Sequence, residues 1–278
     1  MTFIGKTKTI LMALVVAAIA GCSSSDDKSG EFAVEDITPA DALYNQALAN
    51  LDAGDLRTAQ KRIVDLNRQH PYSEYSRRSL VLDTFINYRQ GKYTDAASAG
   101  QRFIRLYPSD KDAAYAQYII GMSYYKQMPH ITRDQTVAQK SYDAMASLVE
   151  KYPESEYVED ARRKMRITKD QLAGKQMLVG RYYQERREFL AAINRFRRVV
   201  EEYPDTRHVE EALARLTESY FSLGLIQEAQ NAAAVLGHNF PDSTWYKDSY
   251  ALLQTGGVEP REAKNSWLTG SLFTGKKT

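Results

Sequence analysis

The only cysteine of the 278-residue chain, Cys22, is the side chain best placed for covalent chemistry. One thiol can neither pair within the chain nor supply several metal ligands, so a disulfide framework and a cysteine-based zinc site are excluded. The sequence contains no evident nucleophile–base pair, glycine-rich phosphate loop or metal-ligand cluster. The four histidines are scattered along the chain: His70, His130, His208 and His238. We therefore expect no catalytic site, no metal, no cofactor and no enzymatic activity.

Cys22 directly follows a segment with the features of an export signal. Lys6 and Lys8 precede an 11-residue apolar run over 10–20, which is typical of a signal peptide and shorter than the roughly 20 residues that span a bilayer. The phrase Ile19-Ala20-Gly21-Cys22 resembles the bacterial lipobox, in which the cysteine is diacylated and becomes the new N-terminus. The alternative is an ordinary signal-peptidase site beside which Cys22 is only a small residue.

This resemblance predicts how the N-terminal region is organised. Residues 1–21 form a lipoprotein signal peptide, and residues 22–37 form a polar, flexible tether that begins at the lipidated Cys22. The three acyl chains of a mature lipoprotein anchor a protein firmly, whereas a single chain binds a membrane only marginally. In lipoproteins of this kind, Ser23 after the cysteine implies sorting to the outer membrane.

Five joints between helices are marked by a recurring phrase in the body of the chain. Each consists of an aromatic residue or histidine, then proline, then a polar residue within two positions. Proline cannot continue the preceding helix, and Ser, Thr or Asp after it can accept hydrogen bonds from the first N–H groups of the next helix. The prolines of these phrases are Pro71, Pro108, Pro153, Pro204 and Pro241.

Small residues recur at fixed distances before these prolines. The spacing matches the tetratricopeptide consensus, because paired helices need small side chains where their backbones approach. The residues 24 positions before the first, second, fourth and fifth proline are Ala47, Thr84, Gly180 and Thr217, and those 12 positions before are Ala59, Ala96, Ala192 and Ala229. The chain is thus predicted to be an all-α tetratricopeptide-repeat superhelix, a solenoid of about five helix-turn-helix repeats.

Two irregular intervals refine this prediction. Eight extra residues in the third repeat fit a loop over 128–135, and 14 extra residues between Pro153 and Gly180 fit one long central helix over about 156–187. Gly174 leaves open whether that helix breaks in two. The predicted regions are repeats 1–3 over 38–153, then the long helix, repeats 4–5 and a capping helix over 154–254, and a flexible tail over 255–278.

The charges of the chain nearly cancel, with 37 Lys and Arg against 35 Asp and Glu. The formal excess of +2 is too small for a nucleic-acid binder, and it resides on Lys6 and Lys8, which leave with the signal peptide. The mature chain is polarised, however: 161–198 has twelve basic and three acidic residues, and 199–248 has three basic and nine acidic ones. This pattern is typical of a docking surface for a protein, and ordinary solvated helix faces would also produce it.

The 19 tyrosines exceed what the repeat cores need. Tyrosine combines apolar area with a hydrogen-bonding group at low entropic cost, so some of them could line a groove for an extended or aromatic-ended peptide. Together with the lipobox and the repeats, several phrases resemble the BamD family of outer-membrane assembly lipoproteins: Tyr182-Tyr183-Gln184-Glu185-Arg186, Ala191-Ala192-Ile193-Asn194-Arg195, Glu202-Tyr203-Pro204-Asp205-Thr206, Arg102-Phe103-Ile104-Arg105-Leu106-Tyr107-Pro108 and Gly121-Met122-Ser123-Tyr124-Tyr125.

The resemblance, which covers about residues 20–254, implies a non-enzymatic subunit of the β-barrel assembly machinery. Such a subunit is lipid-anchored on the periplasmic side of the outer membrane. Its C-terminal repeats dock on a POTRA domain of the barrel subunit BamA, beside other assembly lipoproteins, and its N-terminal repeats receive unfolded outer-membrane proteins. The alternative is another periplasmic tetratricopeptide lipoprotein, such as a scaffold for cell-wall enzymes.

The resemblance also suggests individual contact residues. Arg195 matches the arginine that the family places at the BamA contact, and Tyr182 and Arg186 are its weaker neighbours on the preceding helix. For the peptide groove of the N-terminal repeats, we predict Tyr72, Tyr75 and Tyr88. No residue is assigned to nucleic-acid binding.

Overall fold

The computed structural model describes residues 37–263, 267 and 268, and within these ranges the secondary structure consists of helices and connecting turns. Eleven helices follow one another in this part of the chain: α1 Ala40–Asp52, α2 Leu56–Gln69, α3 Glu74–Arg89, α4 Tyr93–Leu106, α5 Ala113–Lys126, α6 Thr136–Lys151, α7 Val158–Glu185, α8 Phe189–Glu202, α9 Val209–Ser222, α10 Ile226–Asn239 and α11 Thr244–Thr255.

The helices pack as five antiparallel pairs followed by a cap. Each pair (α1/α2, α3/α4, α5/α6, α7/α8, α9/α10) packs on the next, and α11 covers both helices of the last pair. From repeat 1 to repeat 4, the first helices of neighbouring repeats also contact each other. α1, α3, α5 and α7 therefore form a continuous layer. The predicted all-α solenoid of five repeats is confirmed.

The joint prolines and the small residues behave as the sequence predicts. Each proline directly follows the residue that caps the preceding helix, for example His70 after α2 and Tyr203 after α8. All the small residues counted back from the prolines are buried: Ala47, Ala59, Thr84, Ala96, Gly180, Ala192, Thr217 and Ala229. Their burial shows that the regular spacing marks the contact line between paired helices.

Capping after the prolines is more varied than predicted. The hydroxyl of Ser73 accepts a hydrogen bond from the N–H of Ser76 (3.0 Å), and Ser243 likewise caps the start of α11. Thr206 does not accept such a bond, since its hydroxyl donates to the carbonyl of Tyr203 (2.9 Å). This joint is therefore closed by a bond back to the end of α8.

The long central helix is continuous. α7 has 28 residues and is about 42 Å long at 1.5 Å per residue, somewhat shorter than the predicted 156–187 because its two ends belong to turns. Gly174 does not break it. A Cβ atom at Gly174 would lie 2.8 Å from Cδ1 of Ile131, so this glycine lets the inserted loop pack against the helix.

The inserted loop 128–135 is fastened along α7 by hydrogen bonds. The side-chain amide of Gln171 donates to the carbonyl of Pro129 (2.8 Å), and the ammonium of Lys175 donates to the carbonyl of Thr132 (3.0 Å). The two irregularities of the repeat pattern are thus one feature, because the extra turns of α7 supply the surface on which the extra loop packs.

The segment after α11 differs from the flexible tail predicted over 255–278 wherever the structure describes it. The N–H of Ala263 donates to Oδ1 of Asn231 on α10 (3.0 Å), and Leu268 is 1% exposed within the core of repeats 4 and 5. The guanidinium of Arg197 lies 4.4 Å from the ring centre of Trp267. Two apolar anchors therefore hold the described part of this segment against the last repeats.

Candidate functional site

The predicted lipidation site, Cys22, lies outside the described residues. Among the residues that the structure does describe, no group of three or more His, Cys, Asp or Glu side chains is placed to hold a metal ion. None of the helices in the same ranges is both long enough and apolar enough to cross a bilayer. Two surfaces in this part of the chain are candidates for binding other molecules, one in the N-terminal repeats and one in the C-terminal repeats.

The first surface, here called the N-terminal groove, lies between α1, α3 and α5. Its volume is about 430 Å³. It combines aromatic and aliphatic side chains with three charged residues, and its lining residues are Tyr44, Arg78, Val81, Leu82, Phe85, Lys111, Asp112 and Tyr115. The α3 residues among them follow helical spacing, so one face of α3 forms the floor.

Aromatic side chains form a connected wall in this groove. The ring centres of Phe85 and Tyr115 are 6.4 Å apart, and Tyr115 in turn lies 5.5 Å from Tyr157 on the next joint. Burial raises the pKa of Tyr115 to about 12, and it also raises the pKa of Tyr44. Both phenols are therefore neutral at physiological pH and remain hydrogen-bond donors in an otherwise apolar wall.

Cationic side chains stand beside that wall. Arg78 lies 5.7 Å from the ring centre of Tyr75 and pairs with the exposed carboxylate of Glu74 (3.2 Å). Lys111 lines the groove from the start of the third repeat. Because the Arg78 pair is solvent-exposed and costs little to open, both cations can bind an incoming carboxylate. The groove thus combines an aromatic pocket with the cations Arg78 and Lys111 and the carboxylate of Asp112.

The predicted groove residues are only partly placed there. Tyr75 packs against the lining residue Tyr44, with ring centres 5.5 Å apart, and so stands at the rim. Tyr72 is 100% exposed in the first joint, and Tyr88 packs against Tyr93 (5.6 Å); neither is among the lining residues. Sequence reasoning did not assign Phe85 or Tyr115 to the groove. For Phe85, the helical spacing from Arg78 on α3 was the available signal.

The second surface, here called the C-terminal edge, is formed by the turns within repeats 4 and 5. It carries four exposed apolar side chains, Tyr182, Leu190, Leu223 and Leu225. The guanidinium of Arg186 lies 4.4 Å from the ring centre of Tyr182, so these two predicted residues are together. Arg195 is half-buried further along α8, where its guanidinium donates to the side-chain oxygen of Gln176 on α7 (3.3 Å).

Side-chain bonds join α7 to α9 close to the two turns of the C-terminal edge. Arg181 pairs with Glu211 (2.6 Å), and the amide of Gln184 donates to the carboxylate of Glu218 (2.8 Å). Each bond joins residues about one repeat apart in sequence. The turn after α7 therefore neighbours the turn after α9, and their apolar residues belong to one surface.

Comparison with known proteins places this chain in a family. A family model named YfiO and described as an outer membrane lipoprotein matches residues 36–236. The chain belongs to the YfiO family. The outer membrane protein assembly factor BamD of Caulobacter vibrioides is 40% identical over 252 residues, covering 91% of this chain and 82% of that protein. BamD of Rickettsia prowazekii is 34% identical, covering 90% and 98% of the two chains.

The solved structures that resemble this chain are more distant in sequence. The TPR2AB domain of yeast Sti1 is 13% identical and has a TM-score of 0.39, with 78% of this chain and 84% of that chain covered. The YfiO match spans all five repeats up to α10, so the N-terminal groove and the C-terminal edge both lie within the part of the chain that is typical of the family.

The charge blocks of this YfiO-family chain pair with each other in part. Besides the bond of Arg181, Lys169 pairs with Asp205 (2.7 Å) and Arg207 pairs with Asp170 (2.8 Å). These bonds join α7 to the following joint. The predicted polarity is therefore used in part to hold repeat 4 against repeat 5, and the charges left for a partner include the arginines of the C-terminal edge.

Proposed function

We propose that this protein is a non-enzymatic subunit of the machinery that assembles outer-membrane proteins. In this proposal, Cys22 carries the lipid anchor and the repeats face the periplasm. The C-terminal edge docks on a POTRA domain of a BamA-type barrel subunit, and other assembly lipoproteins join the same complex. The N-terminal groove receives the C-terminal segment of an unfolded outer-membrane protein.

The observation that carries the proposal is the agreement of the relatives. The Caulobacter and Rickettsia proteins match about nine-tenths of this chain, and both are named as outer membrane protein assembly factors. The geometry supports different binding roles for the two ends of the solenoid. A groove with an aromatic wall and cations suits a peptide that ends in an aromatic residue, and an exposed apolar edge suits a folded protein. No observation favours a scaffold for cell-wall enzymes.

Arg195→Glu should weaken capture of the barrel subunit at least about tenfold. Arg195 matches the arginine that the family places at this contact, and its only described hydrogen-bond partner is the neutral Gln176. A glutamate at this position would face a carboxylate of the partner, and like charges at an interface cost several kcal/mol. The measurement is the amount of barrel subunit recovered with the tagged lipoprotein from detergent extracts.

The matched control is Arg162→Glu, which reverses the charge of an exposed arginine on α7. Arg162 belongs to the same basic block but lies away from the C-terminal edge. This variant should recover as much barrel subunit as the unaltered protein. Equal recovery with Arg195→Glu and with Arg162→Glu would contradict the assignment of Arg195.

A further inference from the structure

Arg187, in the turn between α7 and α8, has an unusual backbone conformation. Its φ is +63°, and it is the only non-glycine residue with positive φ among the residues that the structure describes. The same turn in repeats 1, 2 and 5 carries Gly54, Gly91 and Gly224, with φ of +80°, +75° and +76°. All four residues lie 17 positions before a joint proline, so they are equivalent in the repeat.

The backbone of this turn favours glycine and gives no reason for an arginine. The left-handed region is disfavoured for residues with a Cβ atom, and glycine occupies it without steric cost. No packing need accounts for a side chain either, because a Cβ atom at Gly54, Gly91 or Gly224 would have no neighbour within 4 Å. Arg187 is exposed, and no described residue forms an ion pair with its guanidinium. The turn itself thus gives no reason for an arginine, and the exposed guanidinium is free to contact a molecule outside the chain.

The surroundings of Arg187 indicate what kind of molecule that is. Nine large apolar side chains are strongly exposed in the described part of the chain, and four of them belong to the C-terminal edge: Tyr182 (50%), Leu190 (66%), Leu223 (39%) and Leu225 (41%). Arg186 and Arg187 lie in the turn after α7, which belongs to this edge. Glu185 and Glu188 flank them in sequence. The edge therefore presents charges of both signs beside apolar side chains. A partner that binds such a surface needs complementary charges at the matching positions.

We propose that Arg187 is a specificity-determining residue of the C-terminal edge, whose guanidinium binds a carboxylate on the folded protein partner that covers the exposed leucines and Tyr182. The inference rests on the proposed function, since the partner is the barrel subunit assigned to this edge. A strained arginine in place of glycine then lowers the stability of the free chain and strengthens binding to the partner.

The test compares Arg187→Gly with Arg187→Lys, using the purified periplasmic part of the barrel subunit as ligand. Arg187→Gly should bind about tenfold more weakly, while its thermal midpoint stays equal or rises by up to about 4 °C, because the strain is relieved. Arg187→Lys keeps the positive charge and should lose less than about threefold in affinity. Calorimetric titration gives the affinities, and circular dichroism gives the midpoints.

Gly54→Arg is the matched control, since it places an arginine in the equivalent turn of the first repeat. It should lower the thermal midpoint and leave the affinity unchanged. Unaltered affinity of Arg187→Gly, a lower midpoint for that variant, or an equal loss with Arg187→Lys would each overturn the inference. Absence of any binding by the unaltered protein would instead overturn the proposed function, so the two failures are distinguishable.

Discussion

Replacing Phe85 and Tyr115 together by alanine should weaken binding of a peptide that ends in phenylalanine by about 100-fold or more. The two rings, with centres 6.4 Å apart, form much of the apolar wall of the N-terminal groove. Aromatic side chains at the centre of an interface commonly contribute 2 kcal/mol or more each, and 1.4 kcal/mol corresponds to a tenfold change in affinity. Fluorescence anisotropy of a labelled peptide measures the effect.

The control for this variant is Tyr72→Ala, which removes a tyrosine that is fully exposed and outside the groove lining. Its affinity should equal that of the unaltered protein. A peptide with an amidated C-terminus should bind about tenfold more weakly than the free acid, because Arg78 and Lys111 lose the carboxylate. Equal affinities of the double variant and Tyr72→Ala would show that the peptide binds elsewhere.

Replacing Phe196 by alanine should lower the free energy of unfolding by about 3–5 kcal/mol, the usual cost of truncating a fully buried phenylalanine. Phe196 is fully buried in the core of repeats 4 and 5. Its ring packs directly on Gly180, where a Cβ atom would overlap the ring. Alanine would therefore leave a cavity at the contact that holds α8 against the long helix. Urea unfolding followed by circular dichroism measures the loss.

Tyr72→Ala again serves as the control, since truncating a fully exposed aromatic residue should change the free energy of unfolding by less than about 0.5 kcal/mol. A loss below about 1 kcal/mol for Phe196→Ala would mean that this contact is not part of a rigid core. The paired glycine and phenylalanine would then have no special role in joining the long helix to α8.

The repeat architecture could be predicted from the sequence because its determinants are local. A proline after an aromatic residue ends a helix wherever it occurs, and small residues at fixed spacing mark the line where two helices touch. Ala59 and Ala192, which follow that spacing, are fully buried where the paired helices pack. The long helix was predicted from the 14 extra residues, but whether it breaks at Gly174 could not be predicted, because the contact of this glycine with Ile131 of the inserted loop is not local in sequence.

The surfaces were harder to predict because they depend on which side chains the superhelix turns inward. Tyr72 and Phe85 are equally plausible groove residues in sequence, yet the first is in solvent and the second lines the groove. The anchoring of Trp267 and Leu268 follows no periodic pattern and has no signal of its own. The unusual backbone position of Arg187 could have been recognised in the sequence, because aligning the repeats on their prolines places it opposite three glycines.

The central claim is that one solenoid carries two separate surfaces with different partners. The most direct measurement is a matrix of affinities in which the unaltered protein, the Phe85/Tyr115 double alanine variant and Arg195→Glu are each titrated with the phenylalanine-ended peptide and with the barrel subunit. We predict that each variant loses one partner and keeps the other within about twofold, as expected for independent sites. Parallel loss of both partners in either variant, with the fold intact, would contradict the account.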